Sequence, residues 1–95
     1  NKYNPLMQYE FDPKKQAQNV AKHQVWFVLM DDFEWDTAII MIDDRRQYAE
    51  TRFRATGLIG ARVYVLVFCL RETKIRLISL RRANQREVKR YARDH

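Results

Sequence analysis

The fold of this chain is decided by one stretch near its C-terminus, Arg76-Leu77-Ile78-Ser79-Leu80-Arg81-Arg82-Ala83-Asn84. It has the pattern of a β-strand that ends in an arginine pair directly before a basic helix. Strict alternation places Arg76, Ile78, Leu80 and Arg82 on one face and Ile75, Leu77, Ser79 and Arg81 on the other. The stretch therefore predicts arginines on both faces of a strand end, where guanidinium groups can hold phosphate or carboxylate.

Three more strands are predicted before this one. Residues 38–42 are a β-branched apolar run, residues 50–56 alternate charged and apolar side chains, and residues 62–70 are apolar on both faces. A charged turn at 43–46, a turn at Gly57–Gly60 and a short connection at 71–74 separate the strands. These short links favour antiparallel hairpins. The sequence therefore predicts a four-stranded antiparallel sheet.

Two helices are predicted before the sheet. Asp12 suits the cap and Pro13 the first turn of a helix that ends near residues 22–24. Its apolar face is predicted to hold Ala17, Val20 and Ala21. A second, short helix is predicted next, with Phe27, Met30 and Phe33 on its buried side.

A third helix is predicted to close the chain. Asn84 and Glu87 have the spacing of a capping box. The apolar face is predicted to hold Val88, Tyr91 and Ala92, and the basic face holds Arg86, Lys89, Arg90 and Arg93. The fold class is therefore α+β, with two N-terminal helices, a four-stranded antiparallel sheet and a C-terminal helix.

The 95 residues are predicted to form a single domain, and their charge is uneven. Residues 1–50 hold six Lys and Arg against nine Asp and Glu, whereas residues 51–95 hold twelve against three. A basic C-terminal half predicts an anionic partner, with nucleic acid as the first candidate and an acidic protein as the second. A basic surface that only meets solvent is the plainer alternative.

Several function classes lack their sequence signals. There is no Gly-rich phosphate loop or dinucleotide fingerprint, so no cofactor is predicted. Two histidines and one cysteine cannot form a structural zinc site, and the pairs Asp31-Asp32 and Asp43-Asp44 are more typical of solvated turns than of a metal site. Cys69 is predicted to be a buried free thiol. With no membrane-length apolar run and no signal peptide pattern, the cytoplasm is the predicted compartment.

The remaining polar side chains suit RNA cleavage without a metal ion. A base takes the 2′-hydroxyl proton, an acid protonates the leaving 5′ oxygen, and cations stabilise the phosphorane. The candidate catalytic residues are His23, Glu50, Arg76, Arg81 and Arg82, and the candidate RNA-binding residues are Lys22, Arg52, Arg71, Arg86, Lys89 and Arg90. Plainer alternatives stand beside these roles, because a histidine often ends a helix and Glu50 can simply pair with Arg52.

The order and spacing of several motifs resemble the BrnT toxin family from Met7 to about Tyr91. The similar segments are Tyr9-Glu10-Phe11-Asp12-Pro13-Lys14-Lys15, Asn19 with Lys22-His23, Asp43 with Arg45 and Tyr48-Ala49-Glu50-Thr51-Arg52, Gly57-Leu58-Ile59-Gly60-Ala61-Arg62, and Arg76 to Asn84 with Glu87 and Tyr91. Since the resemblance begins at Met7, Asn1 to Leu6 are expected to precede the native start.

The resemblance implies a RelE-like ribonuclease toxin of a type II toxin–antitoxin module. It also implies neutralisation by a ribbon-helix-helix antitoxin, with operator DNA bound only through that complex. Lys22, His23, Glu50, Arg52, Arg76, Arg81 and Arg82 match positions that recur in the family's motifs. The chain departs from the family's usual pattern at Gln24, Val28-Leu29-Met30, Ala49 and Leu70. The alternative function is a degenerate toxin that only binds antitoxin and takes part in operon regulation. A direct DNA-binding repressor is a third and weaker alternative, because no helix-turn-helix pair is visible in the sequence.

Overall fold

A computed structural model of the chain describes residues 8–94, which form an α+β domain. The five strands are β1 (Gln8–Glu10), β2 (Ile39–Ile42), β3 (Arg52–Ile59), β4 (Arg62–Arg71) and β5 (Lys74–Arg82). The two α-helices are α1 (Pro13–His23) and α2 (Gln85–Arg93), and two 3₁₀ helices span Phe27–Asp32 and Trp35–Thr37. The predicted class is confirmed, whereas the predicted element count differs in the ways described next.

The sheet has five strands and is mixed, not four-stranded and antiparallel. Its order is β1-β5-β4-β3-β2, and β1 pairs with β5 in parallel, with Tyr9 opposite Ile75. Three residues are too few to show an alternating pattern, so the sequence did not reveal β1. Contacts distant in sequence support it instead: Glu10 accepts a 3.1 Å hydrogen bond from Arg76, and the Trp35 indole N–H donates to the Tyr9 hydroxyl at 2.6 Å.

The predicted second α-helix is a 3₁₀ helix, and its predicted buried residues are correct. Phe27 and Met30 are buried within it, and Phe33 is buried directly after it. These positions are three residues apart, which is the repeat of a 3₁₀ helix. The segment packs its aromatic and aliphatic side chains against Ala55, Leu66, Leu77 and Leu80 on one face of the sheet. This face carries the hydrophobic core.

The turn predicted at Gly57–Gly60 is shorter, because β3 continues through Gly57 to Ile59. Gly57 is a packing glycine: a Cβ there would lie 2.7 Å from Cζ of Phe33. Gly60 makes the turn and has a φ of +63°, a value that favours glycine. Gly57 therefore lets residues 27–37, which we call the core segment, lie directly on the sheet.

A β-bulge at Ile78 changes which side chains of β5 share a face. Val67 pairs with Ser79 but Phe68 pairs with Leu77, so Ile78 is an extra residue. Leu77 and Leu80 consequently both lie in the core. The prediction that Arg76 and Arg81 lie on opposite faces is wrong, because the bulge brings both arginines to the face opposite the core.

Helix α1 has the predicted ends but a different buried face. Asp12 accepts the Lys14 amide at 2.9 Å, and the helix ends at His23 before Gln24 in the left-handed region. Ala17 and Ala21 are exposed, whereas Asn19 is buried. The Asn19 side chain bonds the N–H and C=O of Leu80 at 2.9 and 2.8 Å. Asn19 thus provides hydrogen-bond partners for backbone groups at the edge of β5, in the part of that strand which β1 does not cover.

Helix α2 starts with the predicted capping box, in which Asn84 and Glu87 bond each other's backbone N–H at 2.8 Å. Of the three residues predicted on its apolar face, Tyr91 is buried, whereas Val88 and Ala92 are exposed. The Tyr91 hydroxyl donates to the Thr37 carbonyl at 3.2 Å. This contact fixes α2 beside β2.

Candidate functional site

Four arginines lie on the sheet face opposite the core: Arg52 and Arg54 on β3, and Arg76 and Arg81 on β5. We call this set the arginine face. The register places Arg54 beside Val67 of β4, and both Arg52 and Arg76 beside Cys69. Val65, Val67 and Cys69 are buried between the two rows of arginines. The two strands that flank β4 therefore hold cationic side chains on either side of an apolar central strand.

A cleft of about 310 Å³ lies between α1 and the arginine face. We call it the His23 cleft. Its polar lining comprises Lys15, Gln18, Asn19, Lys22, His23, Arg45, Arg54, Ser79 and Arg81. Among residues 8–94, none of the side chains that line this cleft is a carboxylate, so the cleft suits an anion.

The environment of His23 keeps its imidazole neutral. Partial burial lowers the pKa of His23, and the positive charges of Lys22 and Arg81 lower it further. At neutral pH the side chain is therefore mostly deprotonated and can accept a proton. The sequence predicted His23 at the helix end, but its burial and its nearness to Arg81 depend on the packing of α1 against β5.

A second cleft of about 250 Å³, the Glu50 cleft, adjoins the first. Its lining includes Asp12, Lys15, Glu50, Arg52, Cys69, Arg71 and Arg76. Lys15 and Ile78 line both clefts, which makes them neighbouring parts of one surface. Cys69 is buried as predicted, and burial raises the pKa of its thiol.

Three of the four arginines are already paired with carboxylates. Arg81 makes a bidentate contact with Glu87 at 2.8 and 2.9 Å. Arg76 contacts Glu10 at 3.1 Å, and Arg52 contacts Glu50 at 3.0 Å. The predicted Arg52–Glu50 pair is thus present, and Arg52 also lies 4.0 Å from the centroid of the Tyr48 ring.

Arg54 differs, because within residues 8–94 its guanidinium makes no hydrogen bond or ion pair. It lines the His23 cleft. Hydrogen bonds from Arg45 and Arg81 lower the pKa of Asp43 and Glu87 respectively, and the charge of Arg54 adds to both effects. Sequence reasoning missed Arg54, Glu10 and Glu87 as parts of the site. The alternation of β3 was the available signal for Arg54. Glu87 was predicted only as a capping residue, and its ion pair with Arg81 was not predicted.

The structure separates the predicted site residues into groups. His23, Lys22 and Arg81 line the His23 cleft, whereas Glu50, Arg52, Arg71 and Arg76 line the Glu50 cleft. Arg86 and Arg90 line a third cleft of about 280 Å³ between α2 and strands β2 and β3. Lys89 is exposed and lines none of the three clefts. Arg82 is also exposed and pairs with the core residue Tyr64, on the opposite face from Arg81.

The acidic pairs do not form a metal centre in the described part of the chain. Asp43 is buried and held by Arg45, whose hydrogen bonds lower the pKa of the carboxyl group. Within residues 8–94, no cluster of three His, Cys, Asp or Glu side chains is arranged to hold a metal ion. None of the helices in this range combines the length and apolar content needed to cross a bilayer.

The fold and the clefts define a small α+β protein with a cationic sheet face, a surface that suits a polyanion. Residues 11–87 match the family model described as the BrnT ribonuclease toxin of type II toxin–antitoxin systems. The chain therefore belongs to the BrnT family, which confirms the resemblance seen in the sequence. Family membership implies an antitoxin partner and an RNA substrate. No curated protein sequence matches the chain.

Proposed function

We propose that this chain is an endoribonuclease toxin that cleaves RNA in the His23 cleft without a metal ion. The observation that carries the proposal is the position of His23, which has a lowered pKa, in a cleft that Arg54 and Arg81 also line and no carboxylate enters. A neutral imidazole can act as a base, and the guanidinium groups supply the positive charge that a phosphorane requires.

In the proposed reaction, Nε2 or Nδ1 of His23 takes the proton of the 2′-hydroxyl group. The 2′ oxygen attacks the adjacent phosphorus, and the bond from phosphorus to the 5′ oxygen breaks. Arg54 and Arg81 stabilise the charge on the equatorial oxygens, and the leaving oxygen takes a proton from the imidazolium or from water. The products are a 2′,3′-cyclic phosphate and a 5′-hydroxyl end.

The other predicted residues have supporting roles in this proposal. Arg52, Arg71 and Arg76 in the Glu50 cleft bind a neighbouring phosphate, and Glu50 keeps Arg52 oriented. Lys22 binds RNA at the mouth of the His23 cleft and helps to keep His23 neutral. Arg82 is not included, since it lies on the other face of the sheet. Neutralisation by a ribbon-helix-helix antitoxin, and operator binding through that complex, complete the proposal.

One observation favours the alternative, a toxin-like module that binds antitoxin without cleaving RNA. Arg52, Arg76 and Arg81 are each held by a carboxylate of the same chain. These pairs leave Arg54 as the arginine of the face without an ion pair in residues 8–94. Arginines that are held by carboxylates of the same chain are less available to stabilise a phosphorane. Their surface is nevertheless basic and can still bind an acidic partner.

The test is RNA cleavage by the purified chain, free of antitoxin, in the presence of EDTA. Wild-type protein is expected to produce 2′,3′-cyclic phosphate ends, and His23→Gln is expected to lower the rate about 10²-fold or more. Lys14→Gln is the matched control, because Lys14 lies on the same helix but lines none of the three clefts.

Two results would contradict the proposal. Loss of cleavage in EDTA with recovery on addition of a divalent ion would overturn the metal-free mechanism. A folded wild-type chain that binds antitoxin yet never cleaves RNA would establish the binding module.

A further inference from the structure

Strand β2 forms one edge of the sheet and is unusually apolar for an edge. Its sequence is Ile39-Ile40-Met41-Ile42, and no strand within residues 8–94 lies on its outer side. Ile40, Met41 and Ile42 are 50%, 52% and 62% exposed. Edge strands of soluble proteins usually carry a charge, a proline or a bulge that blocks pairing with another chain. β2 contains none of these.

Within residues 8–94, the hydrogen-bond pattern of β2 leaves the backbone N–H and C=O groups of two residues without a partner in the sheet. The Asp43 N–H donates to the Arg52 carbonyl at 2.8 Å, and Met41 lies opposite Arg54. Because antiparallel pairs alternate, Met41 bonds to β3, whereas the N–H and C=O groups of Ile40 and Ile42 point away from the sheet. An added strand would find two donors and two acceptors in line, flanked by exposed isoleucine side chains.

The charge beside this edge indicates what the added strand would be. Arg86 and Arg90 of α2 line the same cleft as Ile39 and Met41 of β2. The cleft is also lined by Arg54, by Glu87 and by Asp94, whose carboxylate lies 3.9 Å from the Arg93 guanidinium. Arg86, Lys89, Arg90 and Arg93 make the helix strongly basic, and its Glu87 is already neutralised by Arg81. A partner strand with apolar residues along β2 and acidic residues towards α2 would complement both surfaces.

We propose that β2 is the docking edge for an extended, acidic and apolar segment of the antitoxin, which adds a sixth strand to the sheet. This inference rests on the antitoxin partner that the proposed function includes. A second copy of the chain fits less well, since each chain carries a net charge of +6 and β2–β2 pairing would bring two basic α2 helices together. RNA fits less well because the edge offers isoleucine, not cationic or aromatic side chains.

A backbone variant tests the proposed hydrogen bonds. Ile40→Pro removes an N–H that does not bond to β3, so the sheet is expected to remain folded. Its affinity for the cognate antitoxin is expected to fall about tenfold or more, whereas Ile40→Val, which keeps the N–H, is expected to bind as wild type. Ile42→Pro repeats the test if Ile40→Pro does not fold. Arg90→Glu is expected to weaken antitoxin binding at low salt.

Amide exchange measured by NMR tests the same edge in the wild-type chain. Saturating antitoxin is expected to slow exchange at the amides of Ile40 and Ile42. Unchanged exchange there, or slowing caused by RNA or by raising the concentration of the chain alone, would overturn the inference.

The outcomes separate this inference from the proposed function. A chain that never cleaves RNA but loses antitoxin through Ile40→Pro would contradict the proposed catalysis and support the docking edge. If the wild-type chain cleaves RNA in EDTA, and the Ile40→Pro and Ile42→Pro variants bind antitoxin as tightly as wild type does, the proposed catalysis is supported and the docking edge is contradicted.

Discussion

Arg54 and Arg82 are two strand arginines whose side chains lack an ion pair within residues 8–94, yet their surroundings differ. Arg54 lines the His23 cleft, whereas Arg82 is exposed on the opposite face of the sheet. Because neither guanidinium has a carboxylate partner, neither substitution leaves a buried charge behind. Comparing the two positions therefore separates a role in the cleft from a role in folding.

We expect Arg54→Ala to lower RNA cleavage about 10²-fold, because a guanidinium that stabilises the phosphorane contributes mainly to the rate. Arg82→Ala is expected to cleave RNA nearly as fast as wild type. Arg82→Ala should unfold within about 0.5 kcal/mol of wild type in urea, as is usual for surface substitutions. Arg54→Ala is expected to lower the free energy of unfolding by about 1 kcal/mol, because half-buried Arg54 also stabilises the ionised forms of Asp43 and Glu87. Equal activity of the two variants would remove Arg54 from the proposed mechanism.

At the scale of elements, the Arg81–Glu87 pair connects the end of β5 to the first turn of α2. Arg81 and the backbone N–H of Asn84 together lower the pKa of Glu87 from 4.5 to about 2. Glu87 is thus both a capping residue and the partner of an arginine in the His23 cleft. Loss of its charge is expected to loosen α2 and release Arg81 together.

Glu87→Gln is expected to lower the free energy of unfolding at pH 7 by about 1–2 kcal/mol, allowing for the partial exposure of the pair. A folded pKa below the unfolded pKa means that this stability is present above pH 4.5 and is lost as the pH falls towards 2. Glutamine can still complete the capping box. Urea unfolding should therefore show a difference between variant and wild type at pH 3 that is less than half of the difference at pH 7. A difference independent of pH would point to packing.

At the scale of the whole molecule, acidic and basic side chains are concentrated in different halves of the chain. The acidic N-terminal half includes the core segment 27–37, whose Asp and Glu side chains are exposed. The basic C-terminal half supplies the arginine face and α2. The proposed RNA substrate and the proposed antitoxin strand would thus contact different parts of this basic surface.

Affinity for single-stranded RNA is expected to fall with salt, because bound phosphates release counterions. Replacing both Lys15 and Lys22 with glutamine removes two cations that line the clefts. The slope of log affinity against log salt should become shallower by about 1.4, at roughly 0.7 for each lost phosphate contact. The paired control, Lys14→Gln with Arg62→Gln, removes two exposed charges outside the clefts and should leave the slope nearly unchanged.

The sequence by itself determined the α+β class, four of the five strands, both α-helices and the family. These features rest on local signals: the apolar run of β4, the cap at Asp12, the capping box at Asn84, and the ordered motifs. It also placed Phe27, Met30 and Phe33 in the core, although their spacing of three belongs to a 3₁₀ helix rather than an α-helix. Such signals lie within a few residues of one another, so they can be found without knowing the fold.

Tertiary structure alone decided which residues share the site. The bulge at Ile78 turns Arg76 and Arg81 to one face, and no strict alternation could predict it. β1 is too short to have a pattern and exists because β5 pairs with it. Asn19 is buried because α1 covers the edge of β5 at Leu80, and this packing also places His23 near Arg81. Each of these features depends on contacts between segments that are far apart in the chain. A local sequence pattern does not contain the free energies of such contacts, so it cannot predict them.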